Sequence, residues 1–350
     1  MELHQLLQLI TDDVLRVMTA CIIIVGSTIL FLIYWQQSNH RTNHHKGTVS
    51  SSCPNPDCIR CQRYRLVQQR AKQRWKWVTF TSSTNDVPQQ PHDLDRIQQA
   101  VHAKHGGLLK SSIPNQAPTV VFLPGLRCQP LVTEWHSDVC RRLQAPGILE
   151  SIRTELDRCA DDDKLLWGQN DTSQGSWQVL SFLNQGQWDA HLMDLYPTIG
   201  NLIQTLPGCL DKCLFGNAFI SKIQPNTKIS PHCGPTNLRH RLQLPLWVSS
   251  SLERHNSNKR VNARAADKNT VNKNEIKTGL VVADQLITWT EGVPFVFDDS
   301  LVHSVDYTHT TSSSERVVLI VDLWHPDLSA RERDVLCQLY PPFVGTTTST

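Results

Sequence analysis

"SPHCGPTNLRHRLQLPL", residues 230–246, is the stretch on which the reading of this chain turns. A β-strand sends successive side chains to opposite faces. On that period Leu238, His240, Leu242, Leu244 and Leu246 share one face, and Asn237, Arg239, Arg241, Gln243 and Pro245 share the other. The leucine face asks for a core. The polar face suits either solvent or the inner wall of a ligand pocket, where paired arginines would want an anion. His232 stands just ahead of this strand. In a two-His, one-carboxylate metal site such a histidine is followed two residues later by Asp or Glu, with a second His far downstream. Here that position is Gly234. The stretch is a metal site short of one ligand, the remnant of one, or an ordinary strand-end histidine.

The surroundings are β-rich. From Leu214 onward, "CLFGNAFISKIQPNTKISPH", "GLVVADQLITWTEGVPFVFDD" and "ERVVLIVDLWHP" are dense in Val, Ile, Leu, Phe and Trp and are separated by turns. This predicts a mainly β fold of the sandwich or jelly-roll kind. Helices are expected upstream at Leu94–His102, Pro146–Arg158 and after Pro197, where apolar residues recur at helical spacing. Strands are expected at Pro118–Pro130 and Trp177–Trp188. Ser249–Gly279, rich in Asn and Lys without apolar periodicity, reads as a disordered insertion.

The 350 residues can hold one large domain, and a net charge of +2 with 19% charged residues gives no reason to expect a nucleic-acid partner. Val17–Trp35 is an uncharged apolar run long enough to be a single transmembrane anchor. The basic residues that follow, Arg60 to Lys76, would place the C-terminal bulk in the cytosol by charge bias. From Ile59 to Trp77 they fit an irregular amphipathic helix, able to lie on anionic lipid or to remain a solvated linker. Cys53, Cys58 and Cys61 fall in C-x4-C-x2-C spacing, open to metal binding with His44 or His45, to lipidation or to a local disulfide. The expected organisation is a tail (1–16), the anchor (17–35), a polar and basic linker (36–117), a domain (118–330, with insertion 249–279) and a C-terminal tail (331–350).

A second group of residues lies in "FVFDDSLVHSVDYTHTTSSSERVVLIVDLWHPDL", residues 295–328. His303 and Arg316 flank a hairpin loop, so antiparallel pairing can bring both to one pocket. A histidine for a metal and a guanidinium for a distant carboxylate are what a 2-oxoglutarate site needs.

The ordered blocks "FLPGLR", "FLNQG", "FGNAFIS", "HCGPTNLR", "VFDDSLVHSV" and "RVVLIVDLWHP", from Val120 to Leu328, resemble the aspartyl/asparaginyl β-hydroxylases, and most of all their small membrane-anchored members. The resemblance implies a double-stranded β-helix in which only His232 and His303 ligate Fe(II) and glycine at the carboxylate position is normal. It implies that Arg316 binds the distal carboxylate of 2-oxoglutarate, with Ser221 and Arg241 beside it. The implied reaction consumes O2 and 2-oxoglutarate and hydroxylates the β-carbon of Asp or Asn in a protein substrate, such as an EGF-like domain. It also implies a type II protein with its domain in the endoplasmic reticulum lumen, opposite to the charge bias. There the Asn170-Asp171-Thr172 sequon could be glycosylated and Cys209 and Cys213 could bridge. Two departures stand out: Gln243 replaces a family histidine that touches the cosubstrate, and Pro245 replaces a glycine, which predicts an edge or a bulge. A catalytically impaired binding module is the alternative they favour.

Overall fold

Leu242, Leu244 and Leu246 are fully buried, and the strand that carries them lies at the heart of the molecule. The computed structural model describes residues 67–82, 94–103, 109–160, 166–248, 278–308 and 315–342. Its strands are β1 (Gly168–Asn170), β2 (Trp177–Asn184), β3 (Gln187–Trp188), β4 (Asn217–Ile223), β5 (Thr227–His232), β6 (Arg239–Trp247), β7 (Gly279–Val282), β8 (Gln285–Ile287), β9 (Phe295–Phe297), β10 (His303–Tyr307) and β11 (Arg316–Trp324). They form two antiparallel sheets, one in the order β1-β2-β4-β11-β6-β9 with β3 beside β2, the other β5-β10-β7-β8.

Strand alternation divides the larger sheet. Val317, Leu319, Val321 and Leu323 of β11 join Leu242 and Leu244 of β6 and Ala218 and Ile220 of β4 on one face. That face packs on helices α3 (Ser137–Leu143), α4 (Ile148–Arg158), α5 (Ala190–Leu195) and α6 (Pro197–Gln204). On the other face, Val318, Ile320, Phe297 and Ile223 pack on Leu280, Val282, Val305 and Tyr307 of the smaller sheet. Each such buried aliphatic or aromatic side chain stabilises the fold by about 1.5–3 kcal/mol. The mainly β, two-sheet part of the expected fold agrees with this arrangement.

Pro245 explains a local irregularity. β6 is no edge strand, since β11 and β9 flank it, but β9 pairs only with residues 241–243. Across from β11 the register slips, Val318 facing Pro245 while Val317 faces Trp247. The extra residue is a bulge, which accommodates a proline that has no amide to donate.

Three expectations are corrected. The fold class loses its membrane-spanning helix: among the described residues no helix is long and apolar enough to cross a membrane, and Val17–Trp35 lies outside them. The stretches read as linker and C-terminal tail contribute to the core. Helix α1 (Val67–Ser82) buries Val67, Ala71, Trp75 and Val78 against Val335, Leu336 and Leu339 of α7 (Ala330–Leu339) and Ile97 and Val101 of α2 (Asp95–Val101). Those four positions form one helical stripe, and Arg74 Nη1 donates to the Leu339 carbonyl at the end of α7 (3.0 Å). α7 itself starts at a capping box, with Ser329 and Glu332 each bonding the other's amide. Finally, Pro118–Pro130 makes only an isolated bridge at Val121 instead of a strand. Residues 249–277 of the expected insertion, and Cys53, Cys58 and Cys61, lie outside the described residues, while Gly279 already opens β7.

In place of that strand, residues 111–123 run as a strap across two loops. Thr119 N donates to the Gly234 carbonyl (3.1 Å), Val121 N to Pro235 (2.9 Å), Ala117 N to Ser300 (3.1 Å), and Val302 N to Asn115 (2.7 Å). The loop after β5 and the loop before β10 are thereby held by one segment.

Candidate metal and cosubstrate site

Those two loops carry the histidines. His232 ends β5, His303 begins β10, and the two are register partners with ring centroids 4.2 Å apart. His232 Nδ1 lies 2.9 Å from the Ser230 carbonyl and His303 Nδ1 lies 2.8 Å from the Leu301 carbonyl. A carbonyl can only accept, so each Nδ1 carries the proton and each Nε2 presents a lone pair in the neutral ring. This orientation by the other ring nitrogen is what metal-binding histidines show. Burial, and next the nearness of His232, hold His303 well below its ordinary pKa, keeping it neutral and ready to ligate. Among the described residues no group of three His, Cys, Asp or Glu side chains could hold a metal ion. A metal here would have two protein ligands.

Gly234 has a steric reason. A Cβ at this position would meet Asp299 Oδ2 at 2.5 Å, Cγ at 2.7 Å and Oδ1 at 2.9 Å. The carboxylate absent from position 234 is matched by one that arrives from the loop before β10. It is already committed: Arg239 reaches Asp299 at 2.6 Å and Asp322 at 2.6 Å, while Arg241 reaches Asp322 at 2.9 Å and Asp299 at 3.6 Å. Burial pushes Asp299 up, but Arg239 and Arg241 outweigh it and hold the carboxyl below its usual range. The anion wanted by the two arginines of β6 is therefore the protein's own Asp299–Asp322 pair. Arg241 bonds Asp322 through both Nε and Nη2.

Arg316 differs. It begins β11 across from Ile223, is 2% exposed, and its Nη2 donates to Ser221 Oγ at 3.2 Å. Its Nε and Nη1 are buried with no partner among the described residues. Burial lowers its pKa to about 9, which leaves it a cation at neutral pH. Ser221 Oγ also accepts from Trp177 Nε1 (3.1 Å), so its two lone pairs are used and its own proton is left to give. Trp289 lies face-on to the guanidinium at 4.3 Å and donates Nε1–H to Gln243 Oε1 at 2.8 Å. Buried donors without acceptors are costly, and a carboxylate would satisfy both Arg316 and Ser221.

The structure thus brings His232 to His303, Ser221 and Trp289 to Arg316, and Gln243 to Trp289, while Arg241 stands with Asp299 and Asp322. Sequence reasoning missed Asp299, Asp322, Trp177 and Trp289. Inward strand parity was a usable signal for Arg239 and Asp322, which lie on the same face as Arg241 and Arg316. Cys209 and Cys213 are both free thiols.

The sequence profile described as Aspartyl/Asparaginyl beta-hydroxylase matches residues 149–326, half of the chain. The chain belongs to this family. Within it, aspartate beta-hydroxylase domain-containing protein 2 of Rattus norvegicus is 28% identical over 307 residues, covering 84% of this chain and 77% of that protein. Aspartate beta-hydroxylase domain-containing protein 1 of Homo sapiens is 32% identical over 254 residues, covering 71% of this chain and 58% of that one. Among solved structures, an oxidoreductase of the 2OG-Fe(II) oxygenase family from Burkholderia pseudomallei aligns with 58% of this chain and 96% of its own at 15% identity and a TM-score of 0.29, too loose to add weight. His232, Gly234 and His303 all lie inside the matched residues.

Proposed function

We propose that this protein is an Fe(II)- and 2-oxoglutarate-dependent dioxygenase that hydroxylates Asp or Asn side chains of protein substrates. The observation that carries the reading is Arg316: a buried cation with two nitrogens unpartnered among the described residues, on the sheet face that packs against the histidine-bearing sheet and beside a serine with a proton to give. These residues fit both groups. His232 and His303 would hold the metal through Nε2, and Arg316 with Ser221 would hold the distal carboxylate of the keto acid. Bound iron, with O2 and 2-oxoglutarate, supplies the oxidising power for C–H hydroxylation. The chain's own residues do the rest. The Ser230 and Leu301 carbonyls fix the histidine tautomers, and the strap of residues 111–123 holds their loops. Trp289, lying over the Arg316 guanidinium, shields it from water. His232 is only half-buried whereas His303 is buried, so a substrate side chain approaches from the His232 side.

A binding module without turnover is the second reading, favoured by Arg241 being engaged with Asp322 and by the Gln243 oxygen being engaged with Trp289. One assay separates the two. With Fe(II), ascorbate and air, the enzyme reading expects succinate released from 2-oxoglutarate and one oxygen atom added to an Asp or Asn in EGF-like test substrates. Metal-dependent binding without succinate would favour the module, and no binding at all would overturn both.

A further inference from the structure

Gln243 lies mid-way along β6, facing Ile320 of β11 on one side and Phe295 of β9 on the other. It is 4% exposed, on the face that looks toward the smaller sheet. Its amide oxygen is taken by Trp289 Nε1–H, and Trp289 follows β8 of that smaller sheet. The indole therefore bridges the two sheets. Its far side is in contact with the Arg316 guanidinium, with the Arg316 carbon 4.3 Å from the ring centroid, and with Tyr307, with centroids 6.3 Å apart. Among the described residues the Arg316 guanidinium has a single hydrogen bond to the protein, to Ser221. One bond cannot fix a planar group in rotation, so the indole face is the second constraint on its plane.

We propose that Gln243 is a positioning residue. By anchoring the Trp289 indole it holds the Arg316 guanidinium in the plane that receives the distal carboxylate, without touching that carboxylate itself. This rests on the cosubstrate reading given above. The amide suits this role, since its oxygen is an obligate acceptor for an indole N–H and carries no charge that would compete with Arg316. A carboxylate at 243 would also accept from the indole, but would pair with Arg316 or repel the ligand. The chain Gln243–Trp289–Arg316 makes selectivity for a keto acid with a second carboxylate depend on a residue one step removed from it.

The test is calorimetric titration of the full chain, loaded with Mn(II) under nitrogen, with two ligands: 2-oxoglutarate, and 2-oxobutyrate, which keeps the keto-acid end and lacks the distal carboxylate. Gln243→Leu removes the acceptor, Trp289→Phe keeps a ring and removes the donor, and the third protein carries both changes. Each single change is expected to weaken 2-oxoglutarate about tenfold, the loss of one well-placed contact to a desolvated cation. The double variant should fall no further than either single, because both break the same link. Binding of 2-oxobutyrate should not change, which a merely structural role would not predict. Should Gln243→Leu melt early, Gln243→Met replaces it with a side chain of similar length. Weakening by the Gln243 change alone would mean direct contact with the ligand and would overturn the inference, as would equal weakening of both ligands or no effect. A folded wild-type protein that binds neither ligand would instead overturn the cosubstrate reading, and the inference with it.

Discussion

Gly234→Ala adds one carbon atom at the place where most two-histidine iron sites carry their carboxylate. That carbon would lie 2.5 Å from one oxygen of Asp299 and 2.9 Å from the other, both inside any normal contact. Asp299 has little freedom to yield. It is fully buried, its carboxylate is held by Arg239 at 2.6 Å, and its carbonyl accepts the Gly234 amide at 2.6 Å. Forcing a methyl into such packing costs about 1–3 kcal/mol. Expelling the carboxylate costs more, about 3–5 kcal/mol, because it strips a buried cation of a partner. The smaller figure is the one expected, since the backbone can shift a little before the ion pair breaks. At about 2–4 °C per kcal/mol, the melting temperature should fall by roughly 5 °C. Gly168→Ala is the control, because an added carbon there meets nothing nearer than 3.8 Å. Thermal unfolding followed by circular dichroism, with urea midpoints alongside, reads both. Gly234→Asp should destabilise further and should not raise Mn(II) affinity, since the new carboxylate collides with the old. A Gly234→Ala protein that melts with the wild type would refute the packing account of this glycine.

Other expectations follow from the same structure. On the helix side of the sheet, His136 Nε2 and His240 Nδ1 lie 2.9 Å apart, and the His240 and His325 rings meet tilted at 54° with centroids 4.3 Å apart. Burial pushes His136 down to about 4 and His240 well below its ordinary value. The unfolded chain binds these protons first, so stability should fall as pH drops from about 6.5 toward 4, by about 3 kcal/mol for His136 alone. Asp298, raised to about 6 by burial, acts in the opposite direction, so the comparison must be wild type against His136→Leu, whose melting curve should be flatter over that range. Arg239→Ala leaves Arg241 as the one guanidinium paired with Asp299 and Asp322 among the described residues and should cost about 3–5 kcal/mol in urea unfolding; a loss under about 1 kcal/mol would mean the network is solvated. Trp75→Ala, which empties a core position of α1, should cost about 3–5 kcal/mol in urea unfolding, and a loss near zero would contradict the place of α1 in the core.

The parts of this molecule that were legible in its sequence are those in which one period dominates. The two faces of β6 followed from the spacing of its leucines, the helix beginning at Pro197 from apolar i, i+3, i+4 positions, and an edge or a bulge at Pro245 from a missing amide. The strap of residues 111–123 was not legible, because its bonds go one at a time to loops far along the chain. For α1 the basic run from Ile59 to Trp77 fitted a helix or a solvated linker equally, because the stripe Val67, Ala71, Trp75 and Val78 is explained only by the apolar residues of α2 and α7 that it meets. At the site, His232, His303 and Arg316 were marked by motif spacing. Their company was not. The pairing of Asp299 with Gly234 and of Trp289 with Gln243 arises where loops and the two sheets meet, and no local pattern announces it. The spacing left the arginine face of β6 open to solvent or to a pocket; Arg239 and Arg241 lie inward, and the anion they pair with is the protein's own.

The most direct test of the account is the titration of 2-oxoglutarate into the Mn(II)-loaded full chain under nitrogen, with His303→Ala and Arg316→Ala beside the wild type. The account expects binding by the wild type that requires the metal, loss of that dependence in His303→Ala, and loss of at least tenfold in affinity in Arg316→Ala, about 1.4 kcal/mol or more. A folded wild-type protein that binds no 2-oxoglutarate, or an Arg316→Ala variant that binds it as well as the wild type, would contradict it.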